Sequence, residues 1–120
     1  MKRLLLIPLV LFLSCEDKEG EGNPPEITIT YPTNGAILTN STEVITVSLS
    51  DIEATSKVEF YNNGNLFSGG IDIEYPFTYN WDTKAYNDST YTIKAMAYNK
   101  NGASDESNPV TVYVNQYLYD

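Results

Sequence analysis

The sequence predicts an all-β chain, a two-sheet antiparallel sandwich of about seven short strands. Three observations carry this. From Glu26 onward apolar and polar residues alternate at period two. Turn signals rich in Gly, Asn and Asp separate the alternating runs. Ten Tyr, with frequent Thr, Asn, Val and Ile, favour strands, and no window keeps apolar residues at helical spacing for more than about two turns.

In the first run Ile27, Ile29 and Tyr31 share one face, with Thr28 and Thr30 on the other; Pro32–Gly35 then turns the chain. Glu43–Ser50 alternates again, with Ile45, Val47 and Leu49 inward. Lys57–Asn62 puts Val58 and Phe60 inward and Lys57, Glu59 and Tyr61 outward. Asn63-Gly64 supplies the two positive-φ residues of a type I′ hairpin. Leu66-Phe67 starts the return strand, and Gly69-Gly70 is expected to break it. Tyr75–Trp81 points Phe77, Tyr79 and Trp81 one way, and Asp82–Thr90 is a polar turn region. Tyr91–Tyr98 aligns Tyr91, Ile93, Ala95 and Ala97. Asn101-Gly102 marks another turn, and Val110, Val112 and Val114 form the inward side of the last strand.

No disulfide can hold this fold, because Cys15 is the single cysteine. Burial must do it. Trp81 and Tyr91 are the expected anchors, each able to bury on the order of 150–250 Å², with Phe60 and Phe77 beside them. Ala95 and Ala97 leave room for the rings. Tyr91 opens its strand just past a turn, where a tyrosine corner would bond its hydroxyl to backbone a few residues upstream.

Ahead of the alternating region stand two segments of different character. Met1–Ser14 has a positive start (Lys2, Arg3) and an apolar run, Leu4–Leu13, broken only by Pro8. That run is too short to span a bilayer, which takes about twenty residues, but it suits an export signal. Ser14 and Cys15 close it, and the whole resembles the signal peptide and lipobox of bacterial lipoproteins; Phe12 departs from the Leu usual there. The resemblance implies that residues 1–14 are removed and that Cys15 is acylated, with palmitate among its chains, tying the protein to the outer membrane. Removal leaves 106 residues and takes the net charge from −9 to −11. Residues 15–25, the lipidated Cys and the acidic run EDKEGEGNPP, form a tether that buries nothing. The acids after Cys15 also resemble the signal that sends such lipoproteins to the outer cell surface, so a plain spacer and a surface-export signal both stand.

From Pro25 the chain carries Ile27-Thr28-Ile29, Tyr31–Gly35 (YPTNG), Lys57–Gly64 (KVEFYNNG), Pro76–Thr83 (PFTYNWDT) and Asp88–Tyr98 (DSTYTIKAMAY). Together these resemble the bacterial Ig-like domains of secreted and surface proteins. Asn101-Gly102 stands where those domains tend to have Gly-Asn. The resemblance implies an Ig-like sandwich over residues 26–115, with 116–120 as a tail. It implies no particular activity, since the fold hosts many.

Composition removes several chemistries. Without His or a free Cys there is no Ser–His–Asp or Cys–His nucleophile, and zinc lacks its usual ligands. No phosphate loop is present: Gly69-Gly70 has neither the spacing nor the Lys. No cofactor is expected. An acidic chain repels nucleic acid and anionic headgroups. Asp72, Glu74, Asp82, Asp88 and Asp105 are the carboxylates available to a glycosidase pair, but short loops on a small sandwich build no shielding cleft. Asp51, Glu53, Asp82, Asp88, Asp105 and Glu106 could offer oxygens to calcium; their spacing matches no dedicated loop, and they read as solvated turns.

The informative surface feature is aromatic. An Ig-like sandwich places the strands at 57–62, 91–98 and 110–114 side by side, so Tyr61, Tyr98 and Tyr113, with Met96 between, could share one exposed face. Such rings serve ordinary cross-strand pairing or a contact surface for protein or glycan. The sequence thus supports a non-catalytic lipoprotein module. One form is a protein-interaction or structural accessory domain bound to an envelope partner; the other is a glycan-binding module using the tyrosine face.

Overall fold

A computed structural model describes residues 23–116. The signal peptide, Cys15, most of the tether and residues 117–120 lie outside the described residues. Nine strands are described: β1 (Ile27–Tyr31), β2 (Ile37–Leu38), β3 (Glu43–Leu49), β4 (Lys57–Asn62), β5 (Asn65–Asp72), β6 (Thr78–Trp81), β7 (Ser89–Tyr98), β8 (Ser104–Glu106) and β9 (Val110–Val114). A 3-10 turn at Thr83–Ala85 follows β6.

The strands form two sheets. One is three-stranded, in the order β1-β3-β6; the other runs β2-β9-β7-β4-β5, with β8 also on β7. All pairings are antiparallel except β2 with β9, which is parallel. The inward sets expected from alternation meet between the sheets, except for Tyr31, which a register shift after Ile29 turns out to 41 % exposure. Phe60, Phe77, Trp81 and Tyr91 are buried there with Ile45, Val58, Ile93, Ala95, Ala97 and the valines of β9. Val47 and Leu49 are only partly buried, packed against the rim of this core.

Trp81 is fully buried and sits at the centre of an aromatic group. Tyr91 and Tyr86 stand edge-on to it at 5.6 and 5.5 Å, and Phe67 tilts against it at 5.4 Å. Edge-to-face contacts at these spacings suit the ring quadrupoles and add to the area buried. The tyrosine corner forms: Tyr91 Oη donates to the Asn87 carbonyl at 2.6 Å.

Four further details depart from the sequence expectation. Strands β2 and β8 are additional, bringing about seven to nine. Gly69-Gly70 does not end the return strand. Between the pairs Tyr61↔Leu66 and Glu59↔Ile71, β5 takes five steps against two on β4, so the glycines accommodate a bulge of three extra residues. Gly69 has φ +70, and a Cβ on Gly70 would lie 2.8 and 2.9 Å from the carbonyl oxygens of Phe67 and Phe60. Pro25, placed in the tether, is buried. Gln116, placed in the tail, is held by Asp88 and by the Thr83 carbonyl.

Strands β8 and β9 lie in succession along one edge of β7, at Met96–Tyr98 and Ser89–Ile93 respectively. Pro109, which has no N–H, stands in the gap between them. Ser107 bridges it, donating its N–H to Ala95 O at 2.8 Å and accepting the Ala95 N–H on Oγ at 3.0 Å.

Candidate functional site

The outer face of the larger sheet holds the tyrosines singled out by the sequence, and register decides which of them meet. Lys57 is level with Tyr98, Glu59 with Met96, and Tyr61 with Lys94. Glu59 therefore stands between the two tyrosines. Its Oε1 accepts the hydroxyls of Tyr61 (2.7 Å) and Tyr98 (2.9 Å). Its Oε2 pairs with Lys57 Nζ at 3.0 Å, and Lys57 Nζ lies 4.4 Å from the centroid of the Tyr98 ring. Met96, opposite Glu59, completes the cluster.

Two expectations change here. Glu59 faces outward as alternation requires but is only 7 % exposed. Its neighbours along β4 and across on β7 cover it, and their polar ends replace the water it loses. Tyr113 does not join the group. It pairs with Thr90, eight positions along β7 from Tyr98, a separation of roughly 26 Å at strand rise. Its neighbour is Ile37 of β2, itself exposed.

Burial raises the pKa of Glu59, but hydrogen bonds from Tyr61, Lys57 and Tyr98 and the Lys57 charge outweigh it, holding the carboxyl below its ordinary value. In return the Glu59 hydrogen bond pushes the Tyr61 hydroxyl up to about 12, and Tyr98 moves up by the same cause. The carboxyl is thus favoured ionised and both hydroxyls protonated, which keeps these side chains bonded to one another.

Beside the cluster, next to the Asn63-Gly64 turn (φ +51 and +86), opens a groove of about 520 Å³. Tyr61 and Met96 give its apolar lining; Asn63, Thr92, Lys94 and Glu106 give its polar lining. Lys94 is ion-paired with Glu106, and Asn63 Oδ1 accepts the Thr92 N–H at 2.9 Å. Alternation in β4 and β7 located Tyr61 and Met96. Glu106 came to the groove through β8, a strand with no local sequence signal. A second, smaller groove of about 370 Å³ lies on the other sheet, lined by Val47, Leu49, Ile52, Tyr75 and Phe77 among others.

The turn carboxylates are engaged in holding backbone. Asp51 accepts from Ala54 N, and Asp72 accepts from Glu74 N and Thr78 N. Asp88 accepts from Gln116 N, and Asp105 from Ile27 N. Asp82 pairs with Lys84. Glu53 and Glu74 lie exposed in loops. Among the described residues no three acidic or sulfur side chains converge as a metal-holding group.

This geometry defines a small two-sheet sandwich of the immunoglobulin and fibronectin type III kind. The chain belongs to the bacterial Ig domain family, whose model matches residues 25–95. It is similar to the fibronectin(III)-like modules of Clostridium thermocellum CbhA, with 28% identity and a TM-score of 0.65 over 75% of this chain and 96% of that one. A Bacteroides ovatus protein of a mixed-linkage glucan utilization locus, SGBP-B, in complex with a mixed-linkage heptasaccharide, shares the fold. That match has a TM-score of 0.52 and 16% identity, over 75% of this chain and 24% of that one. In sequence the chain is 28% identical over 112 residues to chitinase ChiA of Flavobacterium johnsoniae, matching 88% of this chain but spanning only 7% of the chitinase. Modules of this kind are typically non-catalytic accessory domains, and the chain spans only a small part of the chitinase it matches.

Proposed function

We propose that this chain is a non-catalytic accessory module held at the outer membrane by lipidated Cys15, where it docks on or spaces an envelope protein concerned with polysaccharide. The observation that carries this reading is how its acidic side chains are used. Asp51 and Asp72 accept backbone N–H groups that fix their loops, Asp88 holds Gln116 beyond β9, and Asp105 holds the start of β1. They serve the scaffold, and what remains for function is surface. Tethering makes modest affinity sufficient, because it raises effective concentration.

Palmitate labelling and membrane fractionation of wild type and Cys15→Ser in the native cell test the anchor. Label and membrane partition should both be lost in the variant. Unlabelled wild-type protein in the soluble fraction would end the anchored reading.

A second reading has a specific observation in its favour. Tyr61 and Met96 line an open groove whose rim is polar, and the similar proteins include one bound to a heptasaccharide and a chitinase. In this reading the module contacts glycan itself. Retardation of the chain on gels containing chitin derivatives or mixed-linkage glucan separates the two. Retardation supports direct contact; free migration on every polysaccharide leaves the docking or spacer role.

A further inference from the structure

We propose that the groove beside Asn63-Gly64 is a subsite for an uncharged sugar chain, an inference that rests on the direct-contact reading and names the class of ligand. Its volume of about 520 Å³ lies inside the roughly 300–1,000 Å³ typical of small-molecule clefts. The lining matches the two surfaces of a pyranose. A sugar ring has an apolar face of C–H groups and a rim of hydroxyls, each both donor and acceptor. Tyr61 and Met96 supply apolar contact for the face. Lys94 and Glu106, paired side by side, set a donor next to an acceptor for neighbouring hydroxyls, with Thr92 and the Asn63 amide nearby.

Two further features narrow the occupant. Tyr61 is pinned by its hydrogen bond to Glu59, so the ring is held in place before any ligand arrives, which lowers the ordering cost of binding. Charge excludes anions: Glu106 neutralises Lys94, Glu59 is ionised beneath Tyr61, and the whole chain carries −9. An extended peptide fits poorly. Strand β7 is paired with β4 on one side and with β8 and β9 on the other, so the floor of the groove is closed to strand addition, and the β8 edge beside it is three residues long.

The test is calorimetric titration of the full chain with soluble hexasaccharides of glucose, mannose, xylose and N-acetylglucosamine, with hexagalacturonate as the anionic arm. At least one neutral hexasaccharide should saturate the protein, and hexagalacturonate should not. Tyr61→Ala and Met96→Ala should each weaken binding about tenfold or more, as truncation of a central contact does. Tyr61→Phe keeps the ring but loses the hydrogen bond to Glu59 that holds it, so it should weaken binding by about two- to fivefold, less than Tyr61→Ala. Tyr75→Ala, in the groove of the opposite sheet, should bind as wild type. Circular dichroism confirms that each variant is folded. Binding that survives both Tyr61→Ala and Met96→Ala but is lost in Tyr75→Ala would overturn the groove while keeping the direct-contact reading. Failure of every neutral sugar to bind would overturn both. A better fit for hexagalacturonate would overturn the proposed ligand class.

Discussion

Tyr91 closes a corner on Asn87: its hydroxyl donates to that residue's carbonyl oxygen at 2.6 Å, four residues upstream, while its ring stands at 86° to Trp81. One side chain thus ties the turn before β7 to the centre of the core. Tyr91→Phe keeps the ring and leaves a part-buried carbonyl without this donor, which costs on the order of 1–3 kcal/mol. Thermal melts should show a fall of several degrees with an unchanged far-ultraviolet spectrum. An unaltered midpoint would mean that the corner contributes nothing.

Trp81 is fully buried, and its indole N–H has no hydrogen-bond partner among the described residues. Its contribution is therefore packing. Trp81→Ala should cost about 3–5 kcal/mol, a large share of the stability of a small domain. Urea unfolding measures it; a variant that keeps the wild-type midpoint would contradict the central place given to this residue.

Glu59 gives the domain a dependence on acid. Its folded pKa lies below the unfolded one, so its contribution is complete above the unfolded value and disappears as pH falls through the folded one. On the alkaline side Tyr61 is pushed up to about 12. Its contribution is full below the ordinary tyrosine value and declines as pH climbs from there toward the folded value. Glu59→Gln should flatten both limbs. Urea midpoints across the acid and alkaline ranges report this, and parallel curves for wild type and variant would refute it.

Gly70 and Gly69 should respond differently to substitution. A methyl on Gly70 meets two backbone carbonyls closer than 3.0 Å, whereas Gly69 has open space but a positive φ. Gly69→Ala should cost on the order of 1 kcal/mol from backbone conformation. Gly70→Ala forces the chain apart at the bulge and should cost more, about 1–3 kcal/mol. Chemical denaturation of the pair, with the order of loss reversed, would refute the bulge described for β5.

Much of this was legible in the sequence because one sheet face was uniformly apolar. Tyr91, Ile93, Ala95 and Ala97 alternate without a lapse, and β7 follows them. Two things were not legible. Strand β2 has two residues and β8 reads Ser-Asp-Glu, and neither has a pattern of its own; each exists because a neighbour offers a free edge. Register was the other. Nothing local to Tyr113 says that it pairs with Thr90 rather than lying near Tyr98, since alternation assigns a face and not a height. The burial of Glu59 escaped for the same reason: its cover comes partly from Tyr98, across the strand pair.

Pulling on the domain from its two ends would engage the parallel pairing of β2 with β9. Once β1 has peeled from β3, the load runs through β2 into β9, joined by Gly35 N to Thr111 O, Tyr113 N to Ala36 O and Asn115 N to Leu38 O at 2.6–3.0 Å. Because these strands run the same way, opposite tugs slide one along the other and strain all three bonds together, where an antiparallel hairpin would unzip singly. Single-molecule stretching should therefore record one abrupt rupture after the first strand has gone. A module built this way resists tension applied through its two ends, and a trace of small successive steps would say otherwise.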